Sequence, residues 1–379
     1  MKRIAEQGHH AALVMGDHDD RARQDFAFTL RNHVTSHLMP ANRLVFDKRA
    51  GPAHARATGT ALADPKAIRA AMNADSWYRF YTSARRSSQE LLWASVIPAV
   101  AANTAEPAAA TLGSLTLDPH LIPPRYVDAI DIHCMPGGYT ADRGDGDLAA
   151  GAVYDRGVYL YMSGLMGAYN DAVGQLAVGW LRRERPDFAP ARILDIGCAV
   201  GHATLPWCDA FPSAEVHGID VGAALLRYAH ARAGSLGKAV HFTQANAEST
   251  PFPDGHFDLV TSSIVLHETS TRGLPAILRE CHRVLKPGGL MLHVDQPKFD
   301  DSDPWATFLQ ENETWYNNEP FWRQYRRIDL AALAADCGFA PADIIEDTLV
   351  ADVVRQSQNN SAIDAAKKKG FGLIAAVKR

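Results

Sequence analysis

From residue 191 onward, short runs rich in Ile, Leu, Val and Phe alternate with amphipathic stretches of helical spacing. The runs at 192–196, 215–219, 240–244, 257–262 and 290–294 predict five strands. The stretches between them predict crossover helices, so the strands should lie parallel in one sheet. Residues 330–337 read as a helix closed by Gly338, and 342–349 and 372–377 as two more strands, giving seven. Before residue 191 the pattern is mostly helical. Phe26, Leu30, Val34 and Leu38 recur at four-residue intervals, and Pro40 should end that run. Asp64-Pro65 has the chemistry of a helix start, with a helix to Met72. Asp75-Ser76 opens another, carrying Trp77, Phe80, Tyr81, Leu91, Leu92 and Trp93 as far as Pro98. Residues 99–125, rich in Ala, Pro and Thr, read as a connection with a short strand at 114–117. Residues 127–135 read as a strand entering a Pro136-Gly turn.

This pattern divides the chain into a mainly helical unit, residues 1–152, and an α/β unit, residues 153–379, with a long insertion at 296–327. The stretch that organises the α/β unit is Arg-Ile-Leu-Asp195-Ile-Gly197-Cys198-Ala199-Val-Gly201. It reads as a strand, a loop of small residues and a helix start. Few Cβ atoms allow a ligand close to that backbone, and a helix N-terminus offers free N–H groups. Dinucleotides and S-adenosylmethionine both favour such a loop. The dinucleotide fingerprint requires G-x-G-x-x-G; here Ala199 stands at the middle glycine and the last spacing is one residue short.

The arrangement resembles motif I of the class I S-adenosylmethionine-dependent methyltransferases, with alanine for the middle glycine. Four further segments extend the resemblance to the ubiquinone/menaquinone-methyltransferase-like branch: His217-Gly-Ile-Asp220-Val221; Asn246-Ala247-Glu248-Ser-Thr-Pro-Phe-Pro-Asp; Thr261-Ser262-Ser263-Ile-Val-Leu-His267-Glu268; and Glu280 through Lys286-Pro-Gly-Gly289. The resemblance covers residues 191–295 and implies a Rossmann-like, mostly parallel seven-stranded sheet binding S-adenosylmethionine. It implies that Asp195, Gly197, Cys198, Ala199 and Gly201 line the methionine end and that Asp220 holds the ribose. Val221 then packs on adenine, Asn246, Ala247 and Glu248 meet the adenine edge, and Ser262 and Ser263 lie near the methionine. Asn246 departs from the family's usual Asp; its carbonyl can still accept from the adenine amino group, without charge. For Asp220, a helix cap is the alternative reading. The first 150 residues resemble no family.

Composition narrows the function. A net charge of −5 and no basic face speak against a nucleic-acid partner. No run approaches the ~18 apolar residues of a membrane span. Five scattered cysteines without C-x-x-C fit reduced thiols and no structural metal, hence a cytoplasmic protein.

Methyl transfer needs the acceptor about 3 Å from the methyl and in line with the bond that breaks. A base is required only if the acceptor must lose a proton. His267, His293 and Asp295 are the candidate catalytic residues, with Glu268 and His133 as further candidates; pocket-wall hydrogen bonding is the alternative for each. The insertion carries Phe299, Trp305, Phe308, Trp315, Tyr316, Phe321, Trp322 and Tyr325. These suit a lid over a small organic substrate, and equally a homodimer interface or a packed helical cap. The rival readings are an NAD-dependent oxidoreductase and a non-catalytic protein that binds S-adenosylmethionine.

Overall fold

The computed structural model describes residues 6–103, 112–144, 146–299, 302–350 and 370–379. Eight strands form one sheet: β1 (Ser114–Thr116), β2 (Arg192–Ile196), β3 (Glu215–Asp220), β4 (His241–Gln244), β5 (Phe257–Ser263), β6 (Leu285–Asp295), β7 (Ile344–Leu349) and β8 (Phe371–Val377). Their order is β1-β4-β3-β2-β5-β6-β8-β7. Strands β1 to β6 pair in parallel, while β8 runs antiparallel to both β6 and β7. The eighth is β1, the short strand read at 114–117 in the N-terminal segment. It covers the edge of β4 in the register Ser114↔His241, where open backbone groups would otherwise invite another chain.

The sheet is buried on both faces. Ile193, Leu259, Leu292 and Val294 face one side and pack with Trp180, Leu181 and Leu226. Leu194, Val260 and Met291 face the other and pack with Ile277, Leu278 and Phe339. This is why the strand runs are nearly continuous in apolar residues. Strand order reverses between β2 and β5, and such a switch opens a crevice at the carboxyl ends of the strands. The loops after β2 and β5 meet there. A Cβ added at Gly197, whose φ is +65°, would lie 2.7 Å from Val265 Cγ2.

Three sequence expectations need correction, two of them concerning proline. The helical run does not stop at Pro40: His18–His33 continues through Met39–Val45 and Gly51–Thr58. Two π-turns, Val34–Leu38 and Phe46–Ala50, join these pieces. Each hands its bond one residue further back, with Met39 N–H on Val34 O and Gly51 N–H on Phe46 O. The widened turn lies just before Pro40 and Pro52, which neither donate nor tolerate a carbonyl beneath the ring. The helix Ser76–Ala102 likewise runs past Pro98, its flanking Val96, Ala99 and Val100 all buried. Third, 127–135 is no strand but two short helical turns, Arg125–Asp128 and Ile132–Cys134. The His133 carbonyl is taken by the side chains of Trp93 (2.8 Å) and Gln89 (3.0 Å) instead of a neighbouring strand.

The N-terminal helices clamp the sheet's carboxyl end. Leu92, Trp93, Val96 and Val100 share a core with Leu160, Val200, Leu225 and Tyr228. Helix Ala149–Tyr161 spans the division placed at residue 152 and packs on helices from both sides of it. The insertion closes from above: Trp305 and Phe308 bury against Ile68, Met72, Tyr78 and Tyr81. Its helices Pro304–Gln310 and Asn312–Tyr316 are tied down by Arg69, which reaches Phe308 O and Asn312 Oδ1 at 3.0 Å each.

Asp155 holds these parts to one another. Its buried carboxylate receives Gln7 Nε2 (3.0 Å), His10 Nε2 (2.8 Å), His202 Nε2 (2.8 Å) and Tyr228 OH (2.8 Å). Burial alone would favour the neutral acid, but the His10 and His202 hydrogen bonds, with Arg232 nearby, hold its pKa well below the ordinary 3.8. Truncating one member of a buried charged network costs about 3–5 kcal/mol, because its partners stay buried and unpaired. Asp155→Ala should therefore lower the unfolding free energy by about that amount in urea denaturation. A loss under 1 kcal/mol would mean that the network carries no weight in the fold.

Candidate functional site

The loop after β2 bends through left-handed backbone at Gly197, Ala199 and Gly201 (φ 65°, 44° and 78°). Cys198 N–H donates to Ile219 O at 3.0 Å, which pins the loop to β3. Asp220 closes the arrangement: its Oδ2 accepts from Ala199 N–H and its Oδ1 from Gly222 N–H, both at 2.9 Å. Burial raises the Asp220 pKa, and the amides of Gly222 and Ala199 oppose the rise without cancelling it. Asp195 accepts from the Thr204 hydroxyl at 2.6 Å, so it ties the start of the following helix to β2. Burial pushes its pKa up to about 7.

At the end of β4, Asn246 Oδ1 accepts from Glu248 N–H at 2.9 Å, which forms a tight turn around Ala247. Glu248 Oε1 in turn accepts from Tyr126 OH at 2.8 Å. Val221 O accepts from Gln244 Nε2 at 2.9 Å. These bonds bring Ala199, Asp220, Val221 and the 246–248 turn round one end of β3. Ser263 ends β5, paired with Val294, and Ile264 follows it in left-handed backbone.

His267 and Asp295 meet where β5 and β6 end. Asp295 Oδ2 accepts from Leu266 N–H at 2.7 Å, and its Oδ1 accepts from His267 Nδ1–H at 2.6 Å. Burial disfavours the imidazolium, yet Asp295, with Glu319 and Glu268 behind it, raises the His267 pKa to about 9. His293 sits two residues deeper in β6, its Nδ1 2.7 Å from Ser262 Oγ and its Nε2 3.7 Å from Cys281 Sγ. Burial takes its pKa down to about 4, so it is neutral. His267 and His293 thus lie at the same end of the sheet, one charged and one neutral.

Around His267 the tertiary structure gathers residues that no sequence motif joins. His133 Nε2 lies 2.9 Å from Glu268 Oε1 and its Nδ1 3.2 Å from Glu319 Oε1. Burial opposes the His133 cation, but Glu319 and Glu268 raise its pKa well above 6.5. His133 and Cys134 are both left-handed, at φ 57° and 58°; such strain in non-glycine residues gathers at functional sites. Tyr139 OH donates to the same Glu268 oxygen at 2.9 Å, while a Cβ on Gly222 would lie 2.3 Å from Tyr139 O. The Tyr139 ring also packs edge-on against Tyr154, and Tyr154 stacks on His202 of the glycine loop. Tyr139 and Tyr154 therefore join the Asp220 end of the crevice to the acidic end. Trp322, from the insertion, places its ring edge-on to His267 with centroids 5.3 Å apart. His133 and Glu268 were legible as polar residues near turns. Glu319 was not: it lies in an irregular turn between two helices of the insertion, where no periodicity marks an inward position.

The His267 cation has a measurable signature. Its folded pKa of about 9 exceeds the ordinary 6.5, so its contribution to stability is whole below pH 6.5 and fades as pH rises through about 9. The stability gap between the wild-type chain and His267→Gln should narrow by on the order of 3 kcal/mol between pH 6 and pH 10. Urea titrations at several pH values measure it, and a gap independent of pH would exclude a charged His267.

Residues 193–289 match the family described as methyltransferase domain. A demethylmenaquinone methyltransferase of Thermus thermophilus is 38% identical over 109 residues, covering 29% of this chain and 49% of the relative. An uncharacterized methyltransferase of Synechocystis is 34% identical over 151 residues, 39% of this chain and 66% of its own length. A malonyl-[acyl-carrier protein] O-methyltransferase of Pseudescherichia vulneris is 35% identical over 163 residues, 40% and 61% of the two chains. The match thus spans 49% to 66% of the length of these relatives. Among solved structures, a phosphoethanolamine N-methyltransferase of Haemonchus contortus aligns with a TM-score of 0.43 at 21% identity, over 59% of this chain and 57% of that one. No helix among the described residues is long and apolar enough to cross a membrane. Residues 193–289 therefore form a methyltransferase domain, built on a mostly parallel sheet with the glycine loop at its switch point.

Proposed function

We propose that this chain transfers a methyl group from S-adenosylmethionine to a small organic molecule held between the sheet and the insertion. The carrying observation is the bond of Asp220 to the amides of Ala199 and Gly222 at the sheet's switch point. Each Asp220 oxygen already holds one backbone N–H, which leaves a lone pair on each for a ribose hydroxyl. The loop Gly197, Cys198, Ala199 and Gly201 would cradle the methionine end with backbone groups, and Ser263 would border it. Asp195 would serve this loop from behind, through Thr204. Val221, Asn246, Ala247 and Glu248 would enclose the adenine. The bound cofactor supplies an electrophilic methyl on a sulfonium.

The chain's own residues would orient the acceptor and exclude water. An imidazolium cannot take a proton, so we assign His267 the role of hydrogen-bond donor to the acceptor, with Asp295 fixing its ring. Neutral His293, held by Ser262 and Cys281, would form the wall below. A small acceptor is favoured because Trp322 and Tyr325 bury over this end of the sheet beside His267.

Calorimetric titration with S-adenosylhomocysteine tests the reading. The wild-type chain should bind it, and Asp220→Ala should bind at least tenfold more weakly, a charged hydrogen-bond acceptor having been lost. NAD should give no heat. An unchanged affinity in Asp220→Ala would remove the ribose assignment, and binding of NAD in place of the homocysteine product would move the chain to the oxidoreductases.

A further inference from the structure

The acidic end of the crevice holds a group that nothing in the cofactor site explains. Glu319 is 2% exposed. Its Oε1 accepts from Asn317 Nδ2 and faces His133 Nδ1. Its Oε2 is buried and has no hydrogen-bond partner; it stands 3.5 Å from His267 Nε2. A carboxylate oxygen shut away from water, with an imidazolium at ion-pair distance but no hydrogen bond, is costly. Sites keep such atoms where a ligand completes them.

The surroundings define the missing partner. Three carboxylates, Glu268, Glu319 and Asp295, converge on His133 and His267. The insertion's Arg326 hydrogen-bonds Pro297 O at 2.7 Å and lies over the Phe299 ring, with Asp295 and Glu319 within reach of its charge. Arg31 lies over the Tyr161 ring and Arg85 pairs with Glu313. The two imidazolium rings answer two of the three carboxylates, and an anionic ligand would still face the Glu319 oxygen, an acceptor without a hydrogen bond. A neutral hydroxyl would supply a donor but no charge. A cationic N–H donor supplies both, and its bond to a carboxylate is among the stronger ones. Aromatic rings line the same place: Tyr139 and Tyr161 beside His133, and Trp322 beside His267. Rings of this kind attract organic cations.

We propose that the molecule methylated by this chain carries a cationic amine, seated by its N–H groups on Glu319 Oε2 beneath the insertion. This rests on the methyltransferase reading above and specifies its substrate class. The Tyr139–Tyr154 pair sets the amine pocket next to the Asp220 crevice. The strained turn at His133, braced by Trp93 and Gln89, keeps an imidazole between Glu268 and Glu319, so the two carboxylates do not repel each other.

The test uses the full chain saturated with S-adenosylhomocysteine, titrated calorimetrically at pH 7.5. The probes are three amines with their alcohol counterparts: ethanolamine and ethylene glycol, putrescine and 1,4-butanediol, 2-phenylethylamine and 2-phenylethanol. At least one amine should bind tenfold or more tightly than its alcohol. Glu319→Gln should erase that preference while S-adenosylhomocysteine affinity changes by less than tenfold. If the Gln variant fails to fold by circular dichroism, Glu319→Asp replaces it, with the same loss expected because the shorter side chain withdraws the oxygen. A preference under tenfold for every amine overturns the proposal. So does a variant that keeps the preference, or one whose S-adenosylhomocysteine affinity falls tenfold or more, since Glu319 would then serve the cofactor. Failure of the wild-type chain to bind S-adenosylhomocysteine strikes the methyltransferase reading instead and is seen before any amine is added.

Discussion

Three carboxylates at the carboxyl ends of β2, β3 and β6 cannot remain in this fold without donors, and the loops take the shapes that provide them. Asp195 on β2 draws in the Thr204 hydroxyl. Asp220 on β3 draws in the amides of Ala199 and Gly222. Asp295 on β6 draws in the amide of Leu266 and the ring of His267. A buried charge is tolerated only when paired or hydrogen-bonded. Each carboxylate therefore fixes one loop of the crevice, and the three loops together give the glycine bend, the Asp220 carboxylate and the His267 ring their relative positions.

The same requirement explains how the N-terminal region is joined to the α/β unit. Asp155, on a helix that crosses the division expected from sequence, gathers donors from residues 7, 10, 202 and 228. The apolar packing around it supplies bulk: each fully buried side chain such as Leu92 or Leu225 is worth about 1.5–3 kcal/mol. Such packing is non-directional. The carboxylate supplies direction, and with it the approach of Tyr154 and His202 to the glycine loop. The N-terminal segment also lends the sheet its outer strand, β1. It is thus structurally continuous with the methyltransferase domain.

Electrostatics divides the polar groups at the sheet's end into two kinds. His293 is buried against a hydroxyl and a thiol and stays neutral. His267 is equally buried but lies against a carboxylate and is charged. Burial penalises both cations alike, so the neighbour decides. Period two along β6 placed His293 and Asp295 on one face, correctly; that spacing carries no information about which imidazole would find the carboxylate.

The sheet was largely legible because burial on both faces requires apolar runs at each strand, and the runs at 192–196, 257–262 and 372–377 lie within a residue of the observed bounds. The glycine loop and Asp220 were legible because close approach and left-handed backbone restrict residue type locally. Proline misled at 40 and 98: its cost is local, but a π-turn or a buried face absorbed it, and neither is visible in a single stretch. The acidic pocket was decided by tertiary structure alone. His133, Glu268 and Glu319 are far apart in the chain, and the N-terminal turn, the loop after β5 and the insertion meet only because the sheet's open end must be covered. A side chain's periodicity tells which way it points from its own element; what it meets there depends on elements folded over it from elsewhere.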